Sequence, residues 1–249
     1  MSSWLSSVKG KLIVSCQALE NEPLYGSDVM AKMAVAAVQG GAVAIRANTP
    51  QDIAAIKKQV NVPVIGLYKK DYSDSEIYIT PTIHEVREIA EAGADMIAFD
   101  ATLRLRPNGH TLESFVNEIK AEFPDLLLMA DISTLEEGIF AEQIGIDVIS
   151  TTLSGYTPYS PPVEGYNFEL LEALLQKVSI PVISEGRVKT PSEAAACIEK
   201  GAYSVVVGSA ITRPQLITKD FAELVEQAFK KYGGISCERN RYRYRWNKS

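Results

Sequence analysis

The sequence predicts a (β/α)8 TIM barrel, a single-domain α/β fold, and three observations support this prediction. Eight short apolar runs recur along the chain, and each is followed by a stretch with the pattern of an amphipathic helix. The runs are nearly continuous in Val, Ile and Leu, which is typical of parallel strands buried on both faces. The length of 249 residues is close to the roughly 250 residues that such a barrel usually needs.

Each predicted strand is five or six residues long and rich in β-branched side chains, which strands favour. Because helix-like stretches separate the runs, the strands are expected to lie parallel in β–α units. The predicted strands are residues 12–16, 42–46, 63–68, 95–100, 126–131, 147–151, 181–185 and 204–208.

Several of the intervening helices have legible start and stop signals. A Ser or Thr before the first turn supplies an N-cap, and a proline fits the first helical position because its missing N–H has no partner there. The start signals are Ser27-Asp28 before residues 29–39, Thr49-Pro50 before 51–59, and Thr190-Pro191 before 192–200. Glycines mark the change from a helix end to the next strand. They are Gly40, Gly41, Gly93, Gly145 and Gly201.

A doubly wound open sheet is the competing fold. It is disfavoured because no GxGxxG follows the first strand and no long insertion marks a second domain. No Pro/Gly/Ser-rich linker divides the chain either. We therefore assign residues 1–233 to one catalytic barrel. Residues 234–249 are predicted to form a basic C-terminal tail outside the barrel, without fixed structure.

The distribution of charge along the chain indicates whether a nucleic-acid partner is expected. The chain has a net charge of −6 although its last twelve residues hold five basic side chains and one Glu. The acidic body argues against general nucleic-acid binding. The tail interleaves Arg with Tyr and Trp, a pattern that can stack on bases, but a solvated terminal extension is the favoured interpretation.

No apolar run approaches the roughly twenty residues of a membrane span, so no membrane partner is predicted. The first residues lack the pattern of a signal peptide. The three cysteines form neither an even framework nor a CxxC motif. These features predict a cytoplasmic protein.

In a barrel of this kind the working residues lie at the carboxyl ends of the strands and on the loops that follow. Polar or reactive side chains at those positions are therefore the candidates for a site. They are Cys16, Gln17, Arg46, Lys69, Asp100, Asp131, Thr151, Thr152, Glu185, Gly186, Arg187, Gly208 and Ser209.

The last two strand-end loops predict a phosphate site. Gly186 and Gly208 allow backbone N–H groups to approach phosphate oxygens, and a short helix after Ser209 would direct its N-terminus at the anion. Arg187 and Arg213 add positive charge. The alternative is two ordinary turns with surface arginines.

The candidates for proton transfer are Lys69, Asp131 and Glu185, because His84 and His110 lie away from strand ends. No His/Cys/carboxylate cluster has metal-ligand spacing, so no metal is predicted. Lys69 follows an apolar run, and a desolvated lysine has a lowered pKa and can act as a base or form a Schiff base. A solvated Lys69-Lys70 pair is the alternative.

Eight sequence blocks, in order between about residues 10 and 230, together resemble the N-acylglucosamine-6-phosphate 2-epimerases, also called N-acetylmannosamine-6-phosphate 2-epimerases. Singly these blocks are weak signals, and their shared order makes them specific. They are GKLIVSCQAL (10–19) with EPL (22–24), AIRAN (44–48), PVIGLYKKDY (63–72) with YITPT (78–82), FDAT (99–102), MADIS (129–133), STTLSGYT (150–157), SEGR (184–187) and VGSAITRP (207–214).

The resemblance implies an enzyme of sialic-acid and amino-sugar catabolism that interconverts N-acetylmannosamine 6-phosphate and N-acetylglucosamine 6-phosphate. It implies that this enzyme works without a metal, a nicotinamide or any other cofactor. By position, Lys69 corresponds to the catalytic lysine and Glu185 to its acid partner. Contacts to the sugar are expected from Gln17, Arg46, Asp131 and Thr157, and contacts to the phosphate from Gly186, Arg187, Gly208, Ser209 and Arg213. The expected partner is a small phosphosugar, and a homodimer is left open.

Two other functions stay open at this point. One is a phosphate-binding barrel lyase or synthase, related to thiamine-phosphate or indole-glycerol-phosphate synthase, in which Lys69 forms a Schiff base or protonates an intermediate. The other is a non-catalytic barrel that senses phosphosugars and contacts a partner through its tail.

Overall fold

A computed structural model of the chain describes residues 3–232. Eight parallel strands pair in chain order, and the last pairs with the first to close a barrel. The predicted TIM barrel is confirmed. The strands are β1 (Leu12–Cys16), β2 (Ala44–Asn48), β3 (Val64–Leu67), β4 (Met96–Asp100), β5 (Leu127–Asp131), β6 (Val148–Ser150), β7 (Val182–Ser184) and β8 (Ser204–Val207).

Helices follow the strands and surround the barrel, and a short 3-10 turn spans Pro107–Gly109. The helices are α1 (Ser3–Ser7), α2 (Ser27–Gln39), α3 (Pro50–Lys57), α4 (Ile83–Glu91), α5 (Leu112–Glu122), α6 (Leu135–Gln143), α7 (Phe168–Lys177), α8 (Pro191–Glu199), α9 (Ser209–Thr212) and α10 (Pro214–Tyr232).

The helix starts follow from local hydrogen bonding. The hydroxyl of Thr190 accepts the N–H of Glu193, whose carboxylate in turn accepts the N–H of Thr190, so α8 begins in a full capping box. Thr49 caps α3 as predicted. The predicted cap at Ser27 is wrong, because Gly26 occupies the N-cap and the Ser27 hydroxyl donates to Asp52 instead.

The second strand lies two residues later than predicted. It begins at Ala44, after the turn at Gly41 (φ 105°), and continues to Asn48, which pairs with Leu67 of β3. Arg46 is therefore the middle residue of β2 rather than its last, and Asn48 occupies the carboxyl end of the strand. This register places the Arg46 side chain inside the barrel, below the mouth.

Apolar side chains close the amino-terminal end of the barrel. Leu5 and Val8, which lie in and directly after α1, are buried against a layer of strand residues that includes Ile13, Ile65 and Met129. A larger apolar cluster fills the space between the barrel and the surrounding helices. These two cores hold the carboxyl ends of the strands, and the loops after them, in place.

The last described helix differs from the others. No residue of α10 is buried, and the helix exposes Phe221, Leu224, Val225 and Phe229. The predicted basic tail, residues 234–249, lies outside the described residues. Among residues 3–232 no helix has the length and apolar character needed to cross a membrane.

Candidate active site

A cavity of about 1730 Å³ opens at the carboxyl end of the barrel. Its lining includes most of the residues that the sequence places at a site, brought there by the ends of β1, β2, β3, β7 and β8. Those residues are Gln17, Arg46, Lys69, Glu185, Gly186, Arg187, Gly208, Ser209 and Arg213.

Arg46 forms the centre of the site. Its Nη1 donates to Asp131 Oδ1 at 2.9 Å and to Glu185 Oε2 at 2.7 Å, and its Nη2 lies 2.5 Å from Asp131 Oδ2. The guanidinium is 1% exposed and Asp131 is fully buried. A buried charge must be paired, and here one arginine from β2 joins two carboxylates, one at the end of β5 and one directly after β7.

Asp131 does not line the cavity but supports it from below. Besides Arg46, it accepts a hydrogen bond from the Thr152 hydroxyl at 2.6 Å, and that hydroxyl lies 2.8 Å from Ser150 Oγ. We therefore revise the expected contact with the sugar: the Asp131 carboxylate is fully engaged with protein donors. Its place is to hold Arg46 and Thr152 at the cavity floor.

The charges around Arg46 shift the pKa values of this group of side chains. Burial acts to lower the pKa of Arg46, but the charges of Asp131 and Glu185 outweigh it and raise the pKa. Burial raises the pKa of Glu185 to about 7, with Asp131 adding to the rise and Arg46 opposing it. The Glu185 carboxyl group is thus able to hold or release a proton near neutral pH.

Lys69 lies in the cavity just after β3. Its backbone N–H donates to Asn48 Oδ1 at 2.8 Å, which ties the lysine to the end of the neighbouring strand. Burial lowers the pKa of Lys69 to about 8; Arg46 and Arg213 lower it further, while Glu185 and Asp131 oppose the shift. A lysine with this pKa is partly neutral near pH 7 and can accept a proton.

Lys70 serves as the internal comparison. Its amino group lies 3.2 Å from Glu85 Oε1 and over the rings of Tyr68 and Tyr72. The ion pair with Glu85 raises the pKa of Lys70 against the opposing effect of burial, so this lysine stays charged. Of these two neighbouring lysines, Lys69 is the one whose pKa is suited to a base.

The two loops expected to bind phosphate flank the same cavity. Gly186 has φ 95°, and an added Cβ would lie 3.1 Å from the Thr152 carbonyl oxygen, so only glycine fits there. Gly208 precedes Ser209, the first residue of the short α9. Arg213 lines the cavity while its Nη2 donates to Glu22 Oε2 at 3.0 Å.

Two of the expected contacts are placed differently from the rest. Arg187 lines the cavity, but its guanidinium donates to the carbonyls of Ser154 and Gly155 and lies 3.8 Å from the Tyr156 ring centroid. Thr157 is buried and does not line the cavity; its hydroxyl donates to Ser133 at 3.0 Å. Both residues therefore shape the loop after β6, and the Thr157 hydroxyl donates within the protein rather than to the cavity.

Gln17 offers an unengaged polar atom. Its Nε2 donates to Ser15 Oγ at 2.8 Å, whereas its buried Oε1 has no hydrogen-bond partner among the described residues. An unpaired buried acceptor is unfavourable unless a ligand or water meets it. This atom is suited to accept from a sugar hydroxyl or an amide N–H.

Sequence reasoning missed three residues that the structure brings to this site. Asn48 and Tyr78 line the cavity, and Glu22 holds Arg213. All three lie within sequence blocks quoted for the resemblance, but no role was assigned to them. Asn48 could have been found from its strand-end position if the second strand had been placed two residues later.

Across residues 3–232, no three His, Cys, Asp or Glu side chains are grouped so that they could hold a metal ion. The centre of the site consists of Lys69, Arg46, Asp131 and Glu185.

Comparisons with known proteins agree with this geometry. Residues 30–227 match a family model described as "Putative N-acetylmannosamine-6-phosphate epimerase". A relative from Caldanaerobacter subterraneus subsp. tengcongensis, named "Putative N-acetylmannosamine-6-phosphate 2-epimerase", is 55% identical over 94% of this chain and 98% of its own. A relative of the same name from Clostridium perfringens strain SM101 is 56% identical over 89% of this chain and 100% of its own.

Two solved structures are also similar. The N-acetylmannosamine-6-phosphate 2-epimerase from Clostridium perfringens superimposes with a TM-score of 0.86 at 56% identity, over 90% of this chain and 96% of that one. A thiamine phosphate pyrophosphorylase from Pyrococcus furiosus has a TM-score of 0.56 at 16% identity, over 84% and 89% of the two chains. The second match supports the barrel fold alone.

Proposed function

Because this chain belongs to the N-acetylmannosamine-6-phosphate epimerase family and is thus a carbohydrate epimerase, we propose that it interconverts N-acetylmannosamine 6-phosphate and N-acetylglucosamine 6-phosphate at the barrel mouth. One observation carries the mechanism. Lys69 and Glu185 share the cavity with Arg46, and their pKa values are shifted to about 8 and about 7. Two groups that exchange protons near neutral pH are what a C2 inversion needs.

The proposed chemistry starts with opening of the sugar ring. In the open form the C2 proton is alpha to the C1 aldehyde, and this makes it acidic enough to remove. Glu185 moves a proton on or off the ring oxygen or O1, and neutral Lys69 takes the C2 proton. The enolate that results is stabilised by the positive charge of Arg46 nearby. The steps need no metal and no nicotinamide, because acid–base groups alone balance the protons.

Two routes return the proton to the opposite face of C2. Lys69 serves both faces if the intermediate rotates about the C2–C3 bond, or a second acid acts on the other face. Isotope incorporation distinguishes a shielded single-base route from one in which the proton exchanges with solvent.

Binding of the substrate is assigned to the rest of the cavity. The backbone N–H groups around Gly186 and Gly208, with Ser209 and the guanidinium of Arg213, are suited to a phosphate. Arg187 supports the same loops through its backbone contacts. The free Oε1 of Gln17 would accept from the sugar or its N-acyl amide.

We also place the enzyme in the cytoplasm, in the catabolism of sialic acid and amino sugars. The support is the family membership and the amino-sugar phosphate that the relatives' names contain.

The homodimer is supported by α10. Phe221, Leu224, Val225 and Phe229 follow helical spacing along one side of this helix, and the exposed fraction of each is between 66% and 73%. A second copy of the chain would cover this stripe. Leu224→Lys would then shift the sedimenting species to monomer, whereas Glu223→Lys on the same helix would not. A wild-type protein that sediments as a monomer would contradict the dimer.

The experiment for the reaction is proton NMR of the enzyme with N-acetylmannosamine 6-phosphate in D₂O, for wild type and Lys69→Ala. We expect N-acetylglucosamine 6-phosphate with deuterium at C2, and no product from the variant. Product without deuterium keeps the epimerase but means that the proton is shielded and returned by the same group. A full rate in Lys69→Ala would reject the assignment of the base.

The alternatives are tested in the same preparation. Absence of product, with phosphate-dependent binding retained, would favour the lyase or the sensor. Borohydride reduction with substrate present traps a Schiff-base lysine and leaves an epimerase lysine without a stable adduct. Deletion of residues 238–249 would abolish a tail-dependent sensor and leave an epimerase unaffected.

A further inference from the structure

Lys69 lies on the outgoing arm of a hairpin formed by residues 68–80, which we call the lysine hairpin. Lys69 pairs with Ile79 in an antiparallel bridge. The Lys70 N–H donates to the Tyr78 carbonyl at 2.9 Å, and the Thr80 N–H donates to the Tyr68 carbonyl at 2.8 Å. The backbone position of Lys69 is therefore set by the return arm of the hairpin.

The return arm lies between β3 and β4. These two strands pair directly only at two positions, Ile65 with Met96 and Gly66 with Ile97. Beyond them, the Asp100 N–H at the end of β4 donates to the Ile79 carbonyl at 3.0 Å. The return arm thus replaces β3 as the neighbour of β4 at the mouth, so it connects the lysine to the rigid barrel.

Thr80 connects the return arm both to the outgoing arm of the hairpin and to β4. Its hydroxyl accepts the Tyr68 N–H at 3.1 Å and donates to the Ala98 carbonyl at 2.7 Å. The side chain is fully buried, and its backbone has φ 46°. A β-branched residue rarely adopts this left-handed conformation, and it persists only where the surroundings enforce it.

Arg106 enforces that conformation. It is 1% exposed and packs 3.8 Å from the Phe115 ring centroid. Its guanidinium donates to the carbonyls of Thr80 (3.0 Å), Pro81 (2.8 Å) and Asp100. Burial lowers the pKa of Arg106 to about 9, against the opposing charge of Asp100. A buried arginine that binds only backbone carbonyls is unfavourable by itself, and here it fixes the end of the lysine hairpin.

We propose that Thr80 is a positioning residue for the epimerisation: with Arg106 behind it, its hydroxyl holds the lysine hairpin so that the Lys69 amine stays desolvated and aimed into the cavity. The proposal rests on the assignment of Lys69 as the base. Loosening the hairpin admits water to the amine, which returns its pKa towards that of a solvated lysine. The amine is then less often neutral, and it is held less firmly at C2.

The test compares Thr80→Val with Thr80→Ser. Valine keeps the shape and removes both hydroxyl bonds, whereas serine keeps the hydroxyl. For Thr80→Val we expect kcat to fall about 10- to 100-fold with KM within about twofold. The maximum of the bell-shaped kcat–pH profile should also move to higher pH, by about half a unit if the pKa of Lys69 rises by about one unit. Thr80→Ser should restore both values to near wild type.

Ser204→Ala is the matched control. The Ser204 hydroxyl is also buried and donates to a backbone carbonyl, that of Lys11, at 2.7 Å, but at the opposite end of the barrel. We expect this variant to lose thermal stability like Thr80→Val and to keep the wild-type kcat and pH profile. An equal kcat loss or pH shift in both variants, or a wild-type profile in Thr80→Val, would overturn the proposal.

Two further measurements keep the test decisive if Thr80→Val does not fold. Arg106→Lys should produce the same kcat loss and pH shift to a smaller degree. In the wild type, the amides of Lys70 and Thr80 should exchange with D₂O as slowly as strand amides, and rapid exchange would reject a fixed hairpin. Lys69→Ala is measured alongside: if it is active the base assignment fails, and if it is inactive while Thr80→Val is normal only the positioning role fails.

Discussion

At the amino-terminal end of the barrel, Leu5 and Val8 cover a layer of buried apolar side chains that includes Ile13, Ile65 and Met129. At the carboxyl-terminal end, Arg46, Asp131 and Glu185 occupy the same interior in nearly complete burial. Apolar burial stabilises a fold by roughly 25 cal/mol per Å², whereas buried ion pairs often contribute little net stability because desolvation offsets their attraction. The comparison indicates that one end maintains the fold and the other is reserved for chemistry.

The division between the ends has a direct experimental meaning. Substitutions at the mouth should change turnover more than the free energy of unfolding, and substitutions at the closed end should do the reverse. Backbone conformation follows the same division. Thr49, Thr80 and Arg187 have positive φ although they are not glycines, and all three lie on loops that follow strands at the mouth.

The largest expected effect is from Lys69→Met. Removal of the base should lower kcat by about 10⁴-fold, while the free energy of unfolding stays equal or rises because a desolvated amine is lost. Steady-state kinetics and urea unfolding measure the two quantities. Lys70→Met is the control, because its amine pairs with Glu85 at the rim, and it should keep kcat within a few fold. A Lys69→Met enzyme with a tenth of wild-type activity would contradict the assignment.

Leu5→Ala tests the closed end. The side chain is 2% exposed, so its truncation should lower the free energy of unfolding by about 3 kcal/mol. The kcat of the folded variant should stay within about twofold of wild type, since Leu5 lies at the opposite end from Lys69. A tenfold loss of kcat in folded protein would show that the two ends are coupled.

Glu185→Gln tests the acid partner. We expect kcat to fall by about 10²-fold. In the wild type, activity requires neutral Lys69, favoured above pH 8, and protonated Glu185, favoured below pH 7. The kcat–pH profile should be bell-shaped near pH 7.5, with apparent pKa values that belong to the pair.

Glutamine cannot titrate, so the descending alkaline limb should disappear in Glu185→Gln. Asp147→Asn is the control, because Asp147 accepts the Leu128 N–H at the closed end. It should keep both limbs. A bell-shaped profile that persists in Glu185→Gln would assign the alkaline limb to another group.

The smallest expected effect is on the pH dependence of the free energy of unfolding. The pKa of Glu185 is raised on folding from 4.5 to about 7, so its contribution to stability is present at low pH and is lost as pH rises through that interval. The pKa of Lys69 is lowered from 10.5 to about 8, so its unfavourable contribution is relieved as pH rises from 8 to 10.5.

The combined contribution of Lys69 and Glu185 to the free energy of unfolding should therefore be smallest between pH 7 and 8. The proposed reaction is fastest in the same interval. Urea midpoints measured across pH should show a shallow minimum there, on the order of 1 kcal/mol deep. The double variant Lys69→Met/Glu185→Gln should flatten the curve. If the minimum in that variant keeps its depth, groups other than Lys69 and Glu185 cause it.

The barrel was predictable from sequence because its signals are local. Continuous apolar runs give buried strands, and the threonine caps and glycine stops are read within a few residues. The end of β2 was not, because no local signal separates Ala42 and Val43 from the strand that follows them. Pairing with β3 decides the register, and with it the places of Arg46 and Asn48.

The site was predictable as a set of positions but not as a set of contacts. The bond between Arg46 and Glu185 spans 139 residues of sequence and exists only when the barrel closes. The hydrogen bonds from Arg187 to the carbonyls of Ser154 and Gly155 depend on the conformation of the loop after β6. Such contacts follow from tertiary geometry, which a pattern of strand ends does not contain.

The sharing of Arg46 between two carboxylates makes the centre of the site electroneutral. The charges of Arg46 and Asp131 cancel, so Lys69 and Glu185 sum to zero whether the proton they share resides on the amine or on the carboxyl group. Relocating that proton leaves the net charge of the buried group unchanged, and no counterion has to enter. Higher ionic strength should therefore weaken the binding of an anionic substrate at the more exposed Arg213. It should leave kcat unchanged.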